Sequence, residues 1–397
     1  MKKLRILMLA PQPWFQPRGT PFSVLHRMKA LSLLGHHVDL ATYPVGQDVP
    51  IEGVTIYRAA RIPFVRHVKV GPSKTKIFLD LFLIFLTIKL LRQKKYDLIH
   101  THEEASFWGA FFAKRYKIPH LYDMHSSLPQ QLINFKFTRF KPFLKIFDHL
   151  ENYTIKSANA VITICPELQN YVEKNFPDKK SLLIENVADN SLVFPPDNTA
   201  LQRLQNEYGL TGKTVILYYG TFEPYQGIDL LVQGAAPVVK KYGDKVRFVL
   251  VGGNEAQQQL YRDMASKTGF GDNFIFTGFV QPQVIPAFVQ LADVLVSPRL
   301  KGNNSPLKIY SYLRSGKPIV ATRHITHTQI LNDTVAVLAD ASPEDFAAGI
   351  IAILDDEPRR NKMVQAARDL AERQYSYQEY LDKTAAILAM AWQDHKE

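Results

Sequence analysis

A strand, a loop, a helix and a second strand are predicted in the sequence Val294-Leu-Val-Ser-Pro-Arg-Leu-Lys-Gly-Asn-Asn-Ser-Pro-Leu-Lys-Ile-Tyr-Ser-Tyr-Leu-Arg-Ser-Gly-Lys-Pro-Ile-Val-Ala-Thr322. Both ends are short runs of apolar and β-branched residues, typical of buried strands. Ser305 is predicted to be the N-cap of the helix and Pro306 its first residue, and a glycine ends it about three turns later. Two strands joined through a helix pair in parallel, so the stretch predicts an α/β fold.

The same alternation of strands and helices extends over the whole chain. Its 397 residues suit two domains rather than one. The predicted strands are Arg5–Ala10, Val38–Tyr43, Val54–Ala59, Leu98–His102, His120–Met124, Val161–Cys165 and Leu182–Glu185 in the first half, and Val215–Gly220, Val246–Val251, Phe274–Thr277, Val294–Ser297, Ile319–Thr322 and Ala336–Leu338 in the second.

Two such arrays predict two Rossmann-like, doubly wound domains with parallel sheets, facing each other across a cleft. In this architecture the ligand binds at the carboxyl ends of the strands. The polar segment 186–196 ends in two prolines and is the predicted hinge. The predicted domains are therefore 1–188 and 189–374.

Positive charge is concentrated in the first half of the chain. The net charge is +11; residues 1–190 hold 27 lysines and arginines against 15 acidic residues, and the remainder holds 21 against 22. Such asymmetry indicates an anionic partner. In 135–147 four cations alternate with five phenylalanines, which favours an anionic membrane surface as a partner of the basic first domain. Single-stranded nucleic acid and a solvated basic helix face are the alternatives; no nucleic-acid module accompanies the stretch, so no nucleic-acid partner is predicted.

No feature of the sequence predicts secretion or a membrane span. The single Cys165 excludes an internal disulfide, and the first apolar run is too short for a signal peptide. The most apolar window, Ile77–Leu91, contains two charged residues and is shorter than the about 20 residues that cross a bilayer. The expected location is cytoplasmic, either free or peripheral on the inner face of the cytoplasmic membrane.

Three basic residues surround the start of the helix that follows the Gly-Asn-Asn loop. Arg299 and Lys301 precede the helix, and Lys308 lies in its first turn. A helix N-terminus is partially positive, so cations there are unfavourable unless an anion binds between them. We therefore predict an anion site; a solvated loop with incidental charges is the alternative.

The first strand is also followed by a loop that leads into a helix. Its residues Arg18, Gly19 and Thr20 can present backbone and a guanidinium to a phosphate or an acceptor sugar. An ordinary tight turn is the alternative.

Histidines end two successive predicted strands. His100 and His102 lie on one face of their strand, Glu103 follows directly, and His125 ends the next strand. Side chains at these strand ends face the ligand crevice, which favours a function for His102 or His125 and places Glu103 beside them. His100 is expected to be a hydrogen-bonded core residue. The spacing matches no common metal signature, so no metal is predicted.

Several motifs are informative through their order along the chain. They are Tyr96-Asp-Leu-Ile-His-Thr-His-Glu103, the strand ending at His125, Gly220 followed by Gln226-Gly-Ile-Asp-Leu-Leu231, Val251-Gly-Gly253, Phe276-Thr-Gly-Phe279, Ala292-Asp-Val-Leu-Val-Ser-Pro298 and Ser315-Gly-Lys-Pro-Ile-Val320. Together they resemble the retaining glycosyltransferases of family 4, which have the GT-B fold. The resemblance covers nearly the whole chain.

The resemblance implies an enzyme that needs no cofactor and no metal. Its first domain would bind a glycan or lipid-linked acceptor and its second a nucleotide diphosphate sugar, while a helix in 375–397 would cross back to the first domain. His125 would lie near the transferred sugar, and Gly19 matches half of a Gly-Gly loop. The donor would be bound around Gly220, Thr221, Gln226, Gly252, Phe279, Asn303, Asn304, Ser305 and Ser311.

The sequence departs from the family at four donor positions. Thr221 and Gln226 stand where the family has arginine and lysine, and Asn303 and Ser311 stand where it has two glutamates. Losing both cations opposite a diphosphate is the more serious change, because charge-assisted hydrogen bonds are roughly twice as strong as neutral ones.

Our hypothesis is that Arg299 and Lys308 replace the missing cations. They would bind the diphosphate while His125 orients the sugar, so these three residues form the predicted catalytic set. The alternative functions are a nucleotide-sugar epimerase or phosphorylase of the same fold, and a non-catalytic lipid-binding or scaffold subunit.

Overall fold

The computed structural model describes residues 2–16, 19–63, 65, 68, 73–129, 132, 141–187, 191 and 194–393. The chain forms two compact units: Met1–Asn186 together with Gln378–Glu397, and Val187–Tyr377. Each unit is an α/β structure built on one parallel sheet. The predicted pair of Rossmann-like sheets is therefore confirmed.

The first unit contains a seven-stranded parallel sheet in the order β3-β2-β1-β4-β5-β6-β7. Because the chain order reverses between β1 and β4, their carboxyl ends border the crevice in which such sheets bind ligands. The strands are β1 Arg5–Ala10, β2 His37–Thr42, β3 Val54–Arg58, β4 Leu98–His102, β5 His120–Met124, β6 Ala160–Thr163 and β7 Ser181–Leu183. The helices include Gly19–Leu33, Lys74–Gln93, Ala105–Tyr116, Lys141–Ser157 and Pro166–Asn175. The last helix of the chain, Tyr377–Gln393, also belongs to this unit from its second residue onward.

The central strands β4 and β5 are buried along their whole length, because helices cover both faces of the sheet. Leu79 and Leu83 of the helix Lys74–Gln93 pack on the β1 side of the core. Cys165 packs beside Tyr122 at the other end of the sheet. Burial raises the pKa of the Cys165 thiol to about 11, so this thiol is an unreactive core group.

The second unit contains a six-stranded parallel sheet in the order β10-β9-β8-β11-β12-β13, and its chain order reverses between β8 and β11. The strands are β8 Thr214–Tyr219, β9 Val246–Val251, β10 Phe274–Gly278, β11 Val294–Ser297, β12 Ile319–Thr322 and β13 Val337–Ala339. The helices include Ala200–Glu207, Ile228–Gln233, Ala235–Tyr242, Glu255–Lys267, Ile285–Leu291, Leu307–Arg314, Ile325–Thr328, Pro343–Asp355 and Glu357–Gln374.

The last helix returns the chain to the first unit, as the family resemblance implies. Its Ile387, Leu388 and Ala391 are fully buried. Thr384 of this helix accepts a hydrogen bond from Arg27 Nη1 at 3.2 Å. Among the helices in the described ranges, none has both the length and the apolar character needed to cross a bilayer.

Candidate active site

Two predicted donor glycines lie against each other at the carboxyl end of the second sheet. Gly220 follows β8 with φ of 145°, and Gly252 follows β9 with φ of 122°. A Cβ atom on Gly252 would lie 2.0 Å from the carbonyl oxygen of Gly220, and a Cβ on Gly220 would lie 3.0 Å from Lys308 Nζ. Only glycine permits both the positive φ and this close approach. The Lys308 ammonium thus lies close to the backbone of the Gly220 loop.

Lys308 is a buried lysine that has no counterion among the residues that the structure describes. Lys308 is 8% exposed, and its Nζ has no hydrogen-bond acceptor within the described residues. The ammonium lies 3.7 Å from the centroid of the Tyr218 ring, which compensates part of the lost hydration. Burial and the charge of Arg299 hold the pKa of Lys308 well below its ordinary value. An anion would remove this penalty directly.

Arg299 adds a second cation to the same region. Its Nε donates to the carbonyl oxygen of Lys301 at 2.8 Å, and its Cζ lies 5.1 Å from the centroid of the Tyr225 ring. In the part of the chain that the structure describes it forms no ion pair, and burial lowers its pKa. The Lys301 side chain is exposed. Lys308 is therefore buried and Arg299 half-buried near it, while Lys301 lies outside the pair.

The residues at the family's usual cation positions form a neutral contact. Gln226 Nε2 donates to Thr221 Oγ1 at 3.4 Å, and the Tyr218 hydroxyl donates to the carbonyl oxygen of Thr221 at 2.7 Å. Gln226 is buried, and its Oε1 has no partner among the described residues. This contact offers hydrogen-bonding groups but no charge.

The other predicted donor residues are distributed along the loop and helix after β11. The prediction that Ser305 caps this helix is wrong: Pro306 is the N-cap, the helix begins at Leu307, and the Ser305 hydroxyl is buried with no described partner. Proline at this position fixes an extended conformation before the first turn. The carbonyl oxygen of Asn303 accepts from Gln329 at 2.6 Å, and Asn304 is half-buried.

Ser311 and Phe279 occupy different surroundings. Ser311 lies one turn after Lys308 and hydrogen-bonds Tyr219, whose pKa burial raises. Phe279 follows the edge strand β10, and its side chain is 60% exposed. The structure therefore separates Phe279 from the strand pair β8 and β11 by β9.

The crevice end of the first sheet brings Thr20 and Glu103 together. Thr20 Oγ1 donates to Glu103 Oε1 at 2.9 Å, which joins the residues after β1 to those after β4. Lys76 Nζ lies 3.2 Å from Glu104 Oε1 and 3.9 Å from Glu103 Oε2. Gly19 begins the helix with φ of 33°. Arg18 lies outside the described residues.

His102 and His125 form a direct pair behind these loops. His102 Nδ1 and His125 Nε2 are 2.8 Å apart, and both residues are buried. His125 Nε2 also lies 3.5 Å from Asp123 Oδ1. Burial holds the pKa of His102 well below its ordinary value, so this imidazole is neutral and has one N–H to share.

An Arg27–Asp123 ion pair anchors the histidines. Arg27 Nε donates to Asp123 Oδ2 at 2.9 Å, and neither side chain is more than 3% exposed. Burial by itself would raise the pKa of Asp123, but the Arg27 guanidinium and the neighbouring imidazoles hold it well below its ordinary value. The Arg27 Cζ also lies 4.8 Å from the centroid of the Tyr380 ring, on the last helix. Arg27 therefore connects that helix to the histidine strands.

His100 lies in the core as expected, with its Nε2 at 3.4 Å from Asp123 Oδ2. Its ring stacks on His102 with centroids 4.8 Å apart. Ligand atoms of His100, His102 and Asp123 come within 4.8 Å of one another, as in a metal site. The carboxylate is already paired with Arg27, and repulsion from that guanidinium disfavours a divalent cation there.

Arg27, Asp123 and Tyr218 are site residues that sequence reasoning missed. A signal existed for Asp123, because it is a charged residue in an apolar strand two positions before His125, and alternation places both on one face. Arg27 stands in an otherwise ordinary helix, and nothing in its spacing connects it to β5.

Models of two families match consecutive parts of the chain. Glycosyltransferase Family 4 matches residues 17–192, and Glycosyl transferases group 1 matches residues 202–370. The chain belongs to glycosyltransferase family 4. It is therefore an enzyme of glycosyl transfer from nucleotide sugars.

Named relatives and solved structures agree with this membership. This glycosyltransferase is 22% identical over 308 residues to the alpha-D-kanosaminyltransferase of Streptomyces kanamyceticus, a match that covers 75% of this chain and 78% of the relative. Sucrose-phosphate synthase from Thermosynechococcus elongatus superposes with a TM-score of 0.77 at 18% identity over 99% and 100% of the two chains. HepE of Anabaena, in complex with UDP and glucose, gives 0.74 at 16% over 97% and 99%. At these identities the two structures establish the GT-B fold expected from the sequence.

Proposed function

We propose that this glycosyltransferase moves a hexose-type sugar from a nucleotide diphosphate sugar to a glycan or lipid-linked acceptor, with retention of configuration. The donor belongs to the domain 189–374, and the acceptor to 1–188 with 375–397. An anionic membrane surface is the further partner proposed for the basic first domain. The observation that carries the donor assignment is the buried ammonium of Lys308 near Arg299, which has no partner in the described part of the chain.

A diphosphate supplies the negative charge that this pair of cations lacks. It carries at least two negative charges, and its oxygens accept charge-assisted hydrogen bonds from lysine and arginine. Negative charge grows on the diphosphate as the sugar leaves, so cations already in place stabilise the transition state more than the ground state. HepE of Anabaena contains UDP in its solved complex, which supports the same ligand class here.

The neutral donor residues are proposed to position rather than to hold the donor. Thr221, Gln226, Asn303 and Ser311 can each exchange a hydrogen bond with ribose or sugar hydroxyls, at about 1 kcal/mol per bond. Most of the binding energy is therefore assigned to Lys308 and Arg299.

On the acceptor side, His125 is proposed to orient the transferred sugar. Its partner His102 and the Arg27–Asp123 ion pair hold it in place. Glu103, which accepts from Thr20, is proposed to bind an acceptor hydroxyl.

Calorimetry with UDP and GDP tests the donor assignment. Lys308→Ala should weaken binding of the preferred nucleotide by about 2–4 kcal/mol, or roughly 30- to 1000-fold, because it removes a buried charge from an anion. Lys240→Ala is the matched control, since Lys240 is an exposed lysine of the same unit. An unchanged affinity in Lys308→Ala would remove Lys308 from the site.

A second candidate is a non-catalytic subunit that binds lipid or organises an envelope-glycan assembly. It is favoured by one observation, the neutral residues at all four of the family's charged donor positions. If the wild-type chain bound neither UDP nor GDP, this candidate would replace the transferase.

A further inference from the structure

The helix Lys74–Gln93 exposes large apolar side chains to solvent. They are Phe85 (68% exposed), Phe78 (60%), Ile77 (56%), Leu81 (49%) and Phe82 (39%). Spacings of one and four residues place all five on one side of the helix. Contiguous apolar surface of this kind marks a site of interaction with a membrane or another protein.

The opposite side of the same helix is part of the core. Leu79, Leu83, Leu90 and Leu91 are buried with the strands of the first sheet. The inner side therefore holds this helix on the sheet, and none of the five outer side chains belongs to the described core cluster.

Basic residues continue the outer side toward the end of the helix. Lys89 and Arg92 follow Phe85 by four and seven residues, Lys95 comes just after the helix, and all three are exposed. Asp80 is the one acid in the helix sequence, and it accepts a hydrogen bond from the Tyr43 hydroxyl at 2.5 Å. The outer side is thus apolar, then basic, with no acid. This combination matches an anionic bilayer, which offers both an apolar interior and negative headgroups.

The first turn of the helix adjoins the proposed acceptor side. Lys76 contacts Glu104 and Glu103, and Ile77 and Phe78 come directly after it. Burial would lower the pKa of Lys76, but Glu104 and Glu103 raise it, so the contact is between charged groups. The exposed apolar side chains therefore begin next to the residues that are proposed to meet the acceptor.

We propose that the outer side of the helix Lys74–Gln93 docks on an anionic lipid surface, with Phe78 and Phe85 inserted among the acyl chains and Lys89 and Arg92 on the headgroups. This deepens the membrane partner named above. It rests on the proposed function only for the meaning of the nearby Glu103.

Vesicle co-sedimentation of the full chain tests the docking. The probes are phosphatidylcholine vesicles with and without about one third phosphatidylglycerol. Wild-type protein should bind the anionic vesicles more tightly, and the double substitution Phe78→Ser with Phe85→Ser should weaken this binding about tenfold or more. Lys89→Gln with Arg92→Gln should cost about fivefold per charge on anionic vesicles, and little on neutral ones.

Matched controls lie on the second unit. Leu260→Ser removes a side chain that is 57% exposed, and Lys240→Gln with Lys267→Gln removes two exposed cations. Both control variants should bind vesicles like the wild type. An equal loss of vesicle binding in the controls would mean that nonspecific adsorption or net charge, not this helix, causes the binding.

Two further outcomes would overturn the docking. One is wild-type protein that fails to bind anionic vesicles. The other is a dimer, detected by sedimentation velocity without lipid, that dissociates on the double phenylalanine substitution while vesicle binding persists. That result would assign the outer side of the helix to a second copy of the chain. Calorimetry with UDP and GDP on the same variants keeps the two proposals apart, because unchanged nucleotide binding shows that the donor site is intact.

Discussion

The crevice ends of the two sheets differ in how their charges are balanced. At this end of the first unit the basic residues have carboxylate partners: the buried Arg27 pairs with Asp123, and the half-buried Lys76 with Glu104. In the second unit the buried Lys308 and the half-buried Arg299 have no carboxylate partner among the described residues. The first arrangement is complete without a ligand, whereas the second is not.

This difference separates structural charges from charges kept for a ligand. A buried ion pair contributes little net stability. Removing one partner is costly, because the other charge stays buried without the attraction that offset its lost hydration. A buried cation without a partner pays that penalty permanently, which is tolerable only where function requires it. The four predictions below test each side of the comparison, from the largest expected effect to the smallest.

Removing Arg27 should destabilise the first unit, where the charges are paired. Arg27→Ala leaves the Asp123 carboxylate buried and unpaired, so the first unit should lose about 3–5 kcal/mol of stability. Hydrogen exchange of the β4 and β5 amides measures the loss. Arg5→Ala is the control, because its pair with Asp39 is 45% exposed on the arginine side and should cost about 1 kcal/mol at most. Equal losses in both variants would contradict the distinction.

Adding a methyl group to Gly252 should disturb the unbalanced side. In Gly252→Ala the new Cβ would collide with the Gly220 carbonyl at a positive φ, so we expect about 1–3 kcal/mol of strain and a matching loss of nucleotide affinity. Gly212→Ala provides the control, since that glycine also has positive φ but open space around it. Unchanged UDP and GDP binding in Gly252→Ala would show that the loops at Gly220 and Gly252 do not contact the donor.

Nucleotide affinity should fall as pH rises. The protonated ammonium of Lys308 binds the anion, and its pKa in the free protein is lowered by burial and by Arg299. Above that lowered pKa, each pH unit should therefore weaken binding by up to about tenfold, until the higher pKa of the complex is reached. Calorimetry above pH 7, where the diphosphate is fully ionised, measures this slope. The slope should vanish in Lys308→Met; a slope of equal size in that variant would assign the titration to another group.

The smallest effect is expected at the acceptor side. Thr20→Val removes the hydroxyl that donates to Glu103, a single hydrogen bond of about 1 kcal/mol. KM for the acceptor should rise severalfold while UDP and GDP affinity stays constant. A change in nucleotide affinity instead would place Thr20 with the donor.

Much of the fold was predictable because the signals are local. Leu98–His102, Val246–Val251 and Ile319–Thr322 are strands with the predicted bounds. Buried parallel strands are short apolar runs between turn residues, and each can be recognised without knowing its neighbours. The N-cap after the Asn303–Ser305 loop was missed, because two adjacent residues, Ser305 and Pro306, both suit a helix start and only packing chooses between them.

The site could be predicted only in part. Lys308 and Arg299 were found because cations at a helix start conflict with the local dipole, which is a conflict visible in the sequence. The burial of Lys308 was not visible in the sequence, and its lowered pKa follows from that burial. Arg27 and Asp123 are 96 residues apart, so no spacing rule could join them.

By itself, the sequence determined the order of strands and helices, the two parallel sheets, the family and the strand ends at which charged residues stand. Tertiary structure alone decided which of those charges are neutralised, because a counterion such as Asp123 for Arg27 comes from a distant element through side-chain packing. Local patterns record whether a residue faces the core, but the partner it meets there depends on how separate elements are placed against each other.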